Sequence, residues 1–151
     1  MKQSVERNKE ILAYERKLIK EIIEKDTLHT YHTPNNIYWY YYNVKDTTQS
    51  YQLKEDDVVL MSYNIRTFSN DTIYSFKDIG ERDFKIDKED YFQGLRTGIK
   101  LLKKGESATF FFPSSLAYGF YGDKNKIGTN QPLISTIKII DILEFSKDTL
   151  K

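Results

Sequence analysis

The chain has 151 residues, with 23 Lys and Arg against 22 Asp and Glu, and no cysteine. This length suits one domain of ordinary size plus an extension. The balanced charge excludes a strong whole-chain field toward nucleic acid or anionic lipid. The absence of cysteine excludes disulfides, thiolate nucleophiles and Cys-ligated metals. The 12 Tyr and 9 Phe favour sheets with filled aromatic layers.

A long amphipathic helix is predicted for residues 4–26. Ser4 is a candidate N-cap, and apolar residues recur at i, i+7, i+8, i+11 and i+12, which places them on one stripe between charged faces. The stripe spans about three heptads, so it can dock on the following domain or pair with a second copy as a coiled coil. A polar connection follows at 27–36, and we divide the chain into a helical extension, 1–30, and a domain, 31–151. The stripe consists of Ile11, Leu12, Leu18, Ile19, Ile22 and Ile23.

Runs of β-branched and aromatic residues predict the first strands of the domain. Polar turns at 47–50 and 69–71 separate some of them. The predicted strands are residues 37–42, 58–65, 72–76 and 84–86.

A single short helix is predicted inside this β-rich region. Asp87 or Lys88 precedes it, its apolar positions fall at i, i+3, i+7 and i+10, and Gly105 ends it. One amphipathic helix across an antiparallel sheet predicts an α+β half-barrel. The apolar positions are Phe92, Leu95, Ile99 and Leu102. The remaining predicted strands are residues 107–112 and 133–140, joined by a long loop at 120–132.

Side chains alternate across a strand, so Phe110, Phe111 and Phe112 cannot all face one side of the sheet. At least one of the three is therefore expected to pack away from any pocket.

His29 and His32 form an H-x-x-H pair that would bind a metal ion if the segment were helical, but no third ligand is in view. A solvated end of the first helix is the favoured interpretation of that pair.

Three ordered segments read VLMSY at 59–63, FQGLRTGIKLLKKGE at 92–106 and FPSSLAYG at 112–119. Together they resemble the FKBP-type peptidyl-prolyl isomerases. The helix-first layout and the phrase Glu6-Arg7-Asn8-Lys9 further resemble the gliding-motility-associated lipoproteins of FKBP type in Bacteroidetes. The resemblance implies an FKBP-like antiparallel half-barrel wrapped on a short helix and preceded by a long N-terminal helix.

The resemblance also implies a site that needs no acid, base, metal or cofactor. Leu95 would be the pocket floor, where the family usually holds a tryptophan. The Tyr118 hydroxyl and the Phe92 backbone N–H would orient a peptide. Tyr118, Phe92 and Leu95 are therefore the candidate catalytic residues. The candidate substrate-binding residues are Tyr63, Ile73, Tyr74, Phe84, Tyr91, Ile127 and Ser135.

Several positions depart from the pattern of the family. Ile73-Tyr74 replaces Phe-Asp, with the loss of an aromatic wall and of a carboxylate used for hydrogen bonding. Gly128-Thr129 replaces Pro-Pro, while Ser135 and Arg82 stand where aromatic residues are frequent. We expect a pocket that is wider and more polar on one side, with weakened macrolide binding.

Three functions follow as hypotheses. The first is a peptidyl-prolyl cis-trans isomerase that assists the folding of exported or cell-surface proteins and takes proline-containing polypeptides, with no nucleic-acid partner. It would act in the periplasm or cell envelope, tethered by an N-terminal lipid that this chain lacks. The second is an FKBP-fold chaperone or peptide-binding module with weak or no isomerase activity. The third is a scaffold dimerised by the first helix, so both a monomer and a helix-mediated dimer are open.

Overall fold

The computed structural model describes residues 2–147, with side chains described from Val5 onward. Residues 148–151 of the predicted domain therefore lie outside the described part, as does the side chain of Ser4, the predicted N-cap. The predicted α+β fold with a leading helix is confirmed. The division into 1–30 and 31–151 stays a prediction.

The first helix, α1, spans Lys2–Lys25 and lies against the sheet. Ile19 is fully buried there and packs with Trp39, Phe111 and Ile134. The apolar stripe thus docks on the domain of its own chain, because burying it removes apolar surface from water. Whether a second copy also pairs with α1 in solution stays a prediction.

Within residues 2–147, seven strands form one antiparallel sheet: β1 Trp39–Val44, β2 Val58–Tyr63, β3 Ile65–Arg66, β4 Thr72–Tyr74, β5 Arg82–Lys85, β6 Ser107–Phe112 and β7 Leu133–Glu144. Their order in the sheet is β1-β6-β7-β2-β5, with β3 pairing both β4 and β7. The predicted strand at 58–65 is interrupted at Asn64, whose side-chain Oδ1 accepts a hydrogen bond from the Thr136 N–H at 2.8 Å. The last strand runs four residues beyond its predicted end.

The prediction of a single helix within the β-rich region is wrong. A second short helix, α2, spans Phe76–Ile79 and begins at the last residue of the strand predicted for 72–76. Ser75 and Asp78 form a capping box at its start, and this local pairing of side chains with backbone N–H groups favours a helix over an extended chain.

The predicted helix itself is shorter than expected. It comprises α3, Gln93–Gly98, and a 3-10 turn, Ile99–Leu101. The predicted start after Asp87 or Lys88 is wrong, because the chain turns there and Asp87 has a left-handed φ of 67°. Gly105 does not end the helix either. Its φ of 84° places it in the turn that precedes β6.

The two faces of β6 separate two hydrophobic clusters, as the alternation of its side chains predicts. Phe110 and Phe112 point into the main core, whereas Phe111 packs with Ile19 under α1. The helix α3 crosses the inner face so closely that a Cβ on Gly94 would lie 2.7 Å from the ring of Phe112. The sheet therefore has α3 on one side and α1 on the other.

The two histidines do not lie at the end of a helix, so that interpretation is wrong. The helix ends at Lys25, and His29 stacks on Tyr41 with ring centroids 3.8 Å apart. His32 exchanges backbone hydrogen bonds with Tyr40. Among residues 2–147 no group of three His, Asp or Glu side chains could hold a metal ion. Within the same residues, no helix is long and apolar enough to cross a membrane.

Candidate functional site

The ring of Phe92 is the centre of the candidate site. Phe92 precedes α3 in an extended conformation, φ −62° and ψ 149°, which turns its ring onto the inner face of the sheet. The centroid of this ring lies 6.0 Å from that of Tyr63, 5.9 Å from that of Phe112 and 5.3 Å from that of Tyr118. Tilted and edge-to-face contacts of this kind are the favourable geometry of aromatic pairs.

Two further rings extend this arrangement toward the outer strands. Tyr91 contacts Tyr63 with centroids 6.2 Å apart and Phe84 at 5.1 Å. Phe84 is fully buried, so it supports Tyr91 from behind. We call the set Tyr63, Phe84, Tyr91, Phe92 and Tyr118 the aromatic cluster.

The aliphatic residues predicted for the site lie in the same core. Leu95 is fully buried in the first turn of α3, and Ile127 is 3% exposed. Ile73 is half-buried and packs against this core from β4. Predicted floor and wall residues from four distant parts of the chain are thus brought together.

The hydroxyl of Tyr118 is the clearest polar feature beside the cluster. None of the hydrogen bonds formed between described residues uses this hydroxyl. Burial, followed by the nearby carboxylate of Asp123 and the hydroxyl of Tyr74, raises the pKa of Tyr118 to about 12. The group is therefore a protonated donor throughout the physiological pH range.

A local turn presents Tyr118. Pro113 ends β6, a 3-10 turn follows at Ser114–Leu116, and Gly119 continues the chain with a left-handed φ of 61°. Proline cannot extend the ladder and glycine readily adopts this φ, so the sequence itself specifies the bend. The second predicted donor, the N–H of Phe92, forms no hydrogen bond to another described residue.

Asp123 is a residue of the site that the sequence-based prediction missed. Its Oδ2 accepts a hydrogen bond from the Tyr74 hydroxyl at 2.5 Å, and its Oδ1 accepts from the N–H groups of Asn125 and Ile127. Position 74 therefore lacks the carboxylate of the family pattern, as the sequence indicates, but a different carboxylate reaches this edge from the loop after Tyr118. The pattern Asp123-Lys124-Asn125 after Gly122 is a turn signal that could have indicated it.

Burial and hydrogen bonding have opposing effects on the pKa of Asp123, the partner of Tyr74. Burial alone would raise the pKa of Asp123, but the hydrogen bonds from Tyr74 and the loop N–H groups outweigh burial and lower it. The same hydrogen bond is the main cause of the raised pKa of Tyr74. The carboxylate thus stays ionised, with Tyr74 as its side-chain donor.

Ser135 and Arg82 are less available than the other predicted positions. Ser135 is fully buried and its hydroxyl donates to the carbonyl oxygen of Asn64 at 2.7 Å, so no donor remains for a ligand. Arg82 is exposed, and its Nε donates to the carbonyl oxygen of Ile79 at 3.0 Å. Ser135 therefore offers no free hydroxyl to a pocket wall, because its hydroxyl is bonded to the main chain.

A half-barrel sheet wrapped on a short helix, with unpaired donors beside an aromatic cluster, is the FKBP class of domain. The chain belongs to the FKBP-type peptidyl-prolyl cis-trans isomerase family, whose family model matches residues 49–140.

Individual relatives agree with this assignment. A probable FKBP-type peptidyl-prolyl cis-trans isomerase FkpA of Neisseria meningitidis serogroup B is 30% identical over 101 residues, 67% of this chain. The chain spans only 37% of that relative's length.

Two solved structures share the fold. The crystal structure of FkpA from Escherichia coli has a TM-score of 0.71 at 20% identity and covers 95% of this chain and 64% of its own. The N-terminal domain of FKBP42 from Arabidopsis thaliana has a TM-score of 0.68 at 16% identity, covering 79% and 96% respectively.

Proposed function

We propose that the protein is a peptidyl-prolyl cis-trans isomerase acting on proline-containing polypeptides. Membership of the FKBP-type family supports the activity. The aromatic cluster is the proposed proline pocket, with Leu95 beneath it.

A site of this kind needs only to lower the barrier to rotation about the X–Pro peptide bond. Turning an X–Pro bond meets a barrier of roughly 18–20 kcal/mol because amide resonance is lost. The twisted transition state is less dipolar than the planar imide, so a dry aromatic surface disfavours the ground state relative to it. A hundredfold acceleration needs about 2.7 kcal/mol of such differential binding.

Two donors give the bound peptide its orientation in this proposal. The Tyr118 hydroxyl donates to a carbonyl oxygen beside the proline, and the Phe92 N–H donates to a second one. Fixing both carbonyls holds the peptide in a turn near the twisted geometry. The observation that carries the proposal is the Tyr118 hydroxyl, which no other described residue engages in a hydrogen bond and whose ring has its centroid 5.3 Å from that of Phe92.

The test is an isomerisation assay on X-Pro peptides by NMR exchange. Tyr118→Phe removes one neutral hydrogen bond, worth about 0.5–1.5 kcal/mol, so kcat/KM should fall about two- to tenfold. Tyr121→Phe is the matched control, since Tyr121 lies in the same loop and is 77% exposed. A wild-type chain without catalysis overturns the proposal.

A second candidate, a peptide-binding chaperone module, rests on the altered wall. Ile73 replaces an aromatic residue, and the Tyr74 hydroxyl is engaged by Asp123 rather than free for a substrate. This function predicts that proline peptides bind and that aggregation of unfolded clients is suppressed without turnover. Peptide titrations beside the exchange assay separate the two candidates.

We further propose that the protein assists exported or cell-surface proteins from the periplasm or cell envelope, held by an N-terminal lipid. The helix-first layout and the Glu6-Arg7-Asn8-Lys9 phrase, similar to gliding-motility lipoproteins, support this proposal. Mass spectrometry of the protein from its native cells should find a lipidated N-terminus in the envelope fraction. An unmodified cytoplasmic protein would contradict it.

A further inference from the structure

We propose that Glu15 of α1 is a positioning residue that sets the loop carrying Tyr118. The catalytic part of this inference rests on the proposed function, whereas the structural part does not. The long helix would then contribute to the site without touching a substrate.

The contact is a buried carboxylate on the chain that follows β6. Glu15 is 2% exposed and Ser114 is 3% exposed. The Ser114 hydroxyl donates to Glu15 Oε1 at 2.9 Å, and the Ser114 N–H donates to Oε1 at 3.2 Å and to Oε2 at 3.3 Å. One side chain of α1 therefore satisfies both donors of a residue 99 positions away.

Ser114 passes this constraint to Tyr118 through its other polar group. The carbonyl oxygen of Ser114 accepts the N–H of Ala117 at 3.0 Å and the N–H of Gly119 at 2.9 Å. These two residues flank Tyr118 on either side. The turn that presents Tyr118 is thus closed on Ser114, while Ser114 is held by Glu15.

Docking of the helix does not by itself require a carboxylate. Ile19, one turn along the same face, already buries an apolar side chain against Trp39 and Phe111. Burial raises the pKa of Glu15, and an apolar residue at this position would avoid the cost of burying a carboxylate. A buried carboxylate facing two donors instead specifies one register between α1 and the loop.

The experiment compares Glu15→Ala and Glu15→Gln with Glu21→Gln, a control at an exposed position of α1. Two readouts are needed: amide hydrogen exchange of Ala117 and Gly119, and the isomerisation rate with kcat and KM separated. Fluorescence of Trp39, the single tryptophan, reports whether α1 remains docked. Ser114→Ala is a second variant, which keeps the N–H and loses only the hydroxyl.

Glu15→Ala should accelerate exchange at Ala117 and Gly119 and lower kcat by about two- to tenfold, no more than loss of the Tyr118 hydroxyl itself, with little change in KM, because a donor is misplaced and the pocket is retained. Glu15→Gln should recover part of both, since its amide oxygen still accepts one hydrogen bond. Unchanged exchange and unchanged kcat in Glu15→Ala overturn the inference. So does a loss that appears only when Trp39 fluorescence shows that α1 has detached.

The two proposals fail in distinguishable ways. If the wild-type chain lacks isomerase activity, the exchange measurement still tests whether Glu15 orders the loop. If the wild-type chain is active and Glu15→Ala matches it in both readouts, only the positioning role is lost.

Discussion

Replacing Gly94 by Ala should destabilise the fold by overpacking α3 against β6. The added Cβ would lie 2.7 Å from two ring carbons of Phe112, where ordinary contact begins at 3.4 Å. The ring would therefore have to retreat by roughly 0.7 Å. It is fully buried, and Phe110 stacks on it with centroids 5.4 Å apart and planes 7° apart, so its retreat displaces a second ring.

Two opposing contributions, helix propensity and overpacking, decide whether Gly94→Ala raises or lowers the free energy of unfolding. Ala in place of Gly inside a helix gains about 1 kcal/mol of propensity. Overpacking a well-packed core typically costs about 1–3 kcal/mol, and a 2.7 Å contact with a ring that is stacked on Phe110 falls in the upper half of that range, about 2–3 kcal/mol. We therefore expect Gly94→Ala to lower the free energy of unfolding by about 1–2 kcal/mol, or about 2–8 °C in Tm.

Two other glycines calibrate the measurement. A Cβ on Gly98 would lie 3.0 Å from Phe110, a milder contact, so Gly98→Ala should be near neutral. A Cβ on Gly128 would find its nearest neighbour 3.8 Å away, at the side chain of Gln131, so Gly128→Ala should change little. Urea unfolding followed by far-UV circular dichroism gives all three midpoints. A Gly94→Ala variant as stable as the wild type, with an unchanged m-value, would refute the packing argument.

Three further outcomes are expected. Ile19→Ala should lower the free energy of unfolding by about 2–5 kcal/mol in urea titrations, because it removes the fully buried side chain that docks α1. Tyr74→Phe should accelerate amide exchange at Ile127, measured by NMR, because Asp123 loses its side-chain donor and the loop it orders loosens. Asp123→Asn should be less stable than the wild type at pH 7, and the difference should shrink as the pH falls below 3.8, the ordinary pKa of Asp. The sign follows because the pKa of Asp123 is lowered on folding, so its stabilisation is complete above the unfolded value and lost in acid.

Each of these has its own control. Tyr14→Ala alters an α1 residue that is 63% exposed and should leave the urea midpoint unchanged. An Ile19→Ala variant that unfolds like Tyr14→Ala would show that α1 contributes no docking energy. Unchanged exchange at Ile127 in Tyr74→Phe would show that the backbone N–H groups alone hold Asp123. A stability difference for Asp123→Asn that is constant from pH 7 to pH 3 would contradict the assigned pKa shift.

Local patterns predicted some elements well and others poorly, for identifiable reasons. The bounds of β6 agree with the prediction because every residue of Ser107–Phe112 tolerates an extended, buried strand. The start of α3 was misplaced because Phe92, its N-cap, makes no side-chain capping bond, so packing rather than a local signal begins this helix. The reverse holds for α2, whose Ser75–Asp78 capping box was present in the sequence and was outweighed by the β-prone run before it.

In the candidate site too, local motifs indicated some residues and missed contacts between distant parts of the chain. Phe92, Leu95 and Tyr118 were indicated by the family motifs around them. The contact of Asp123 with Tyr74 was not, because it joins residues 49 positions apart on a loop and a strand edge. The hydroxyl of Ser135 was assigned to the pocket wall, whereas its hydrogen bond to Asn64 depends on how β3 departs from β2.

By itself the sequence determined which faces are apolar: the stripe of α1, the alternation along β6 and the bend after Pro113 all follow from local backbone geometry. Only the tertiary structure decided what each face meets. It placed α1 on the outer face of the sheet, and it aimed Glu15 at Ser114, 99 residues away. Periodicity is a property of neighbouring residues, but the partner of a buried group is chosen by the free energy of contacts across the whole chain.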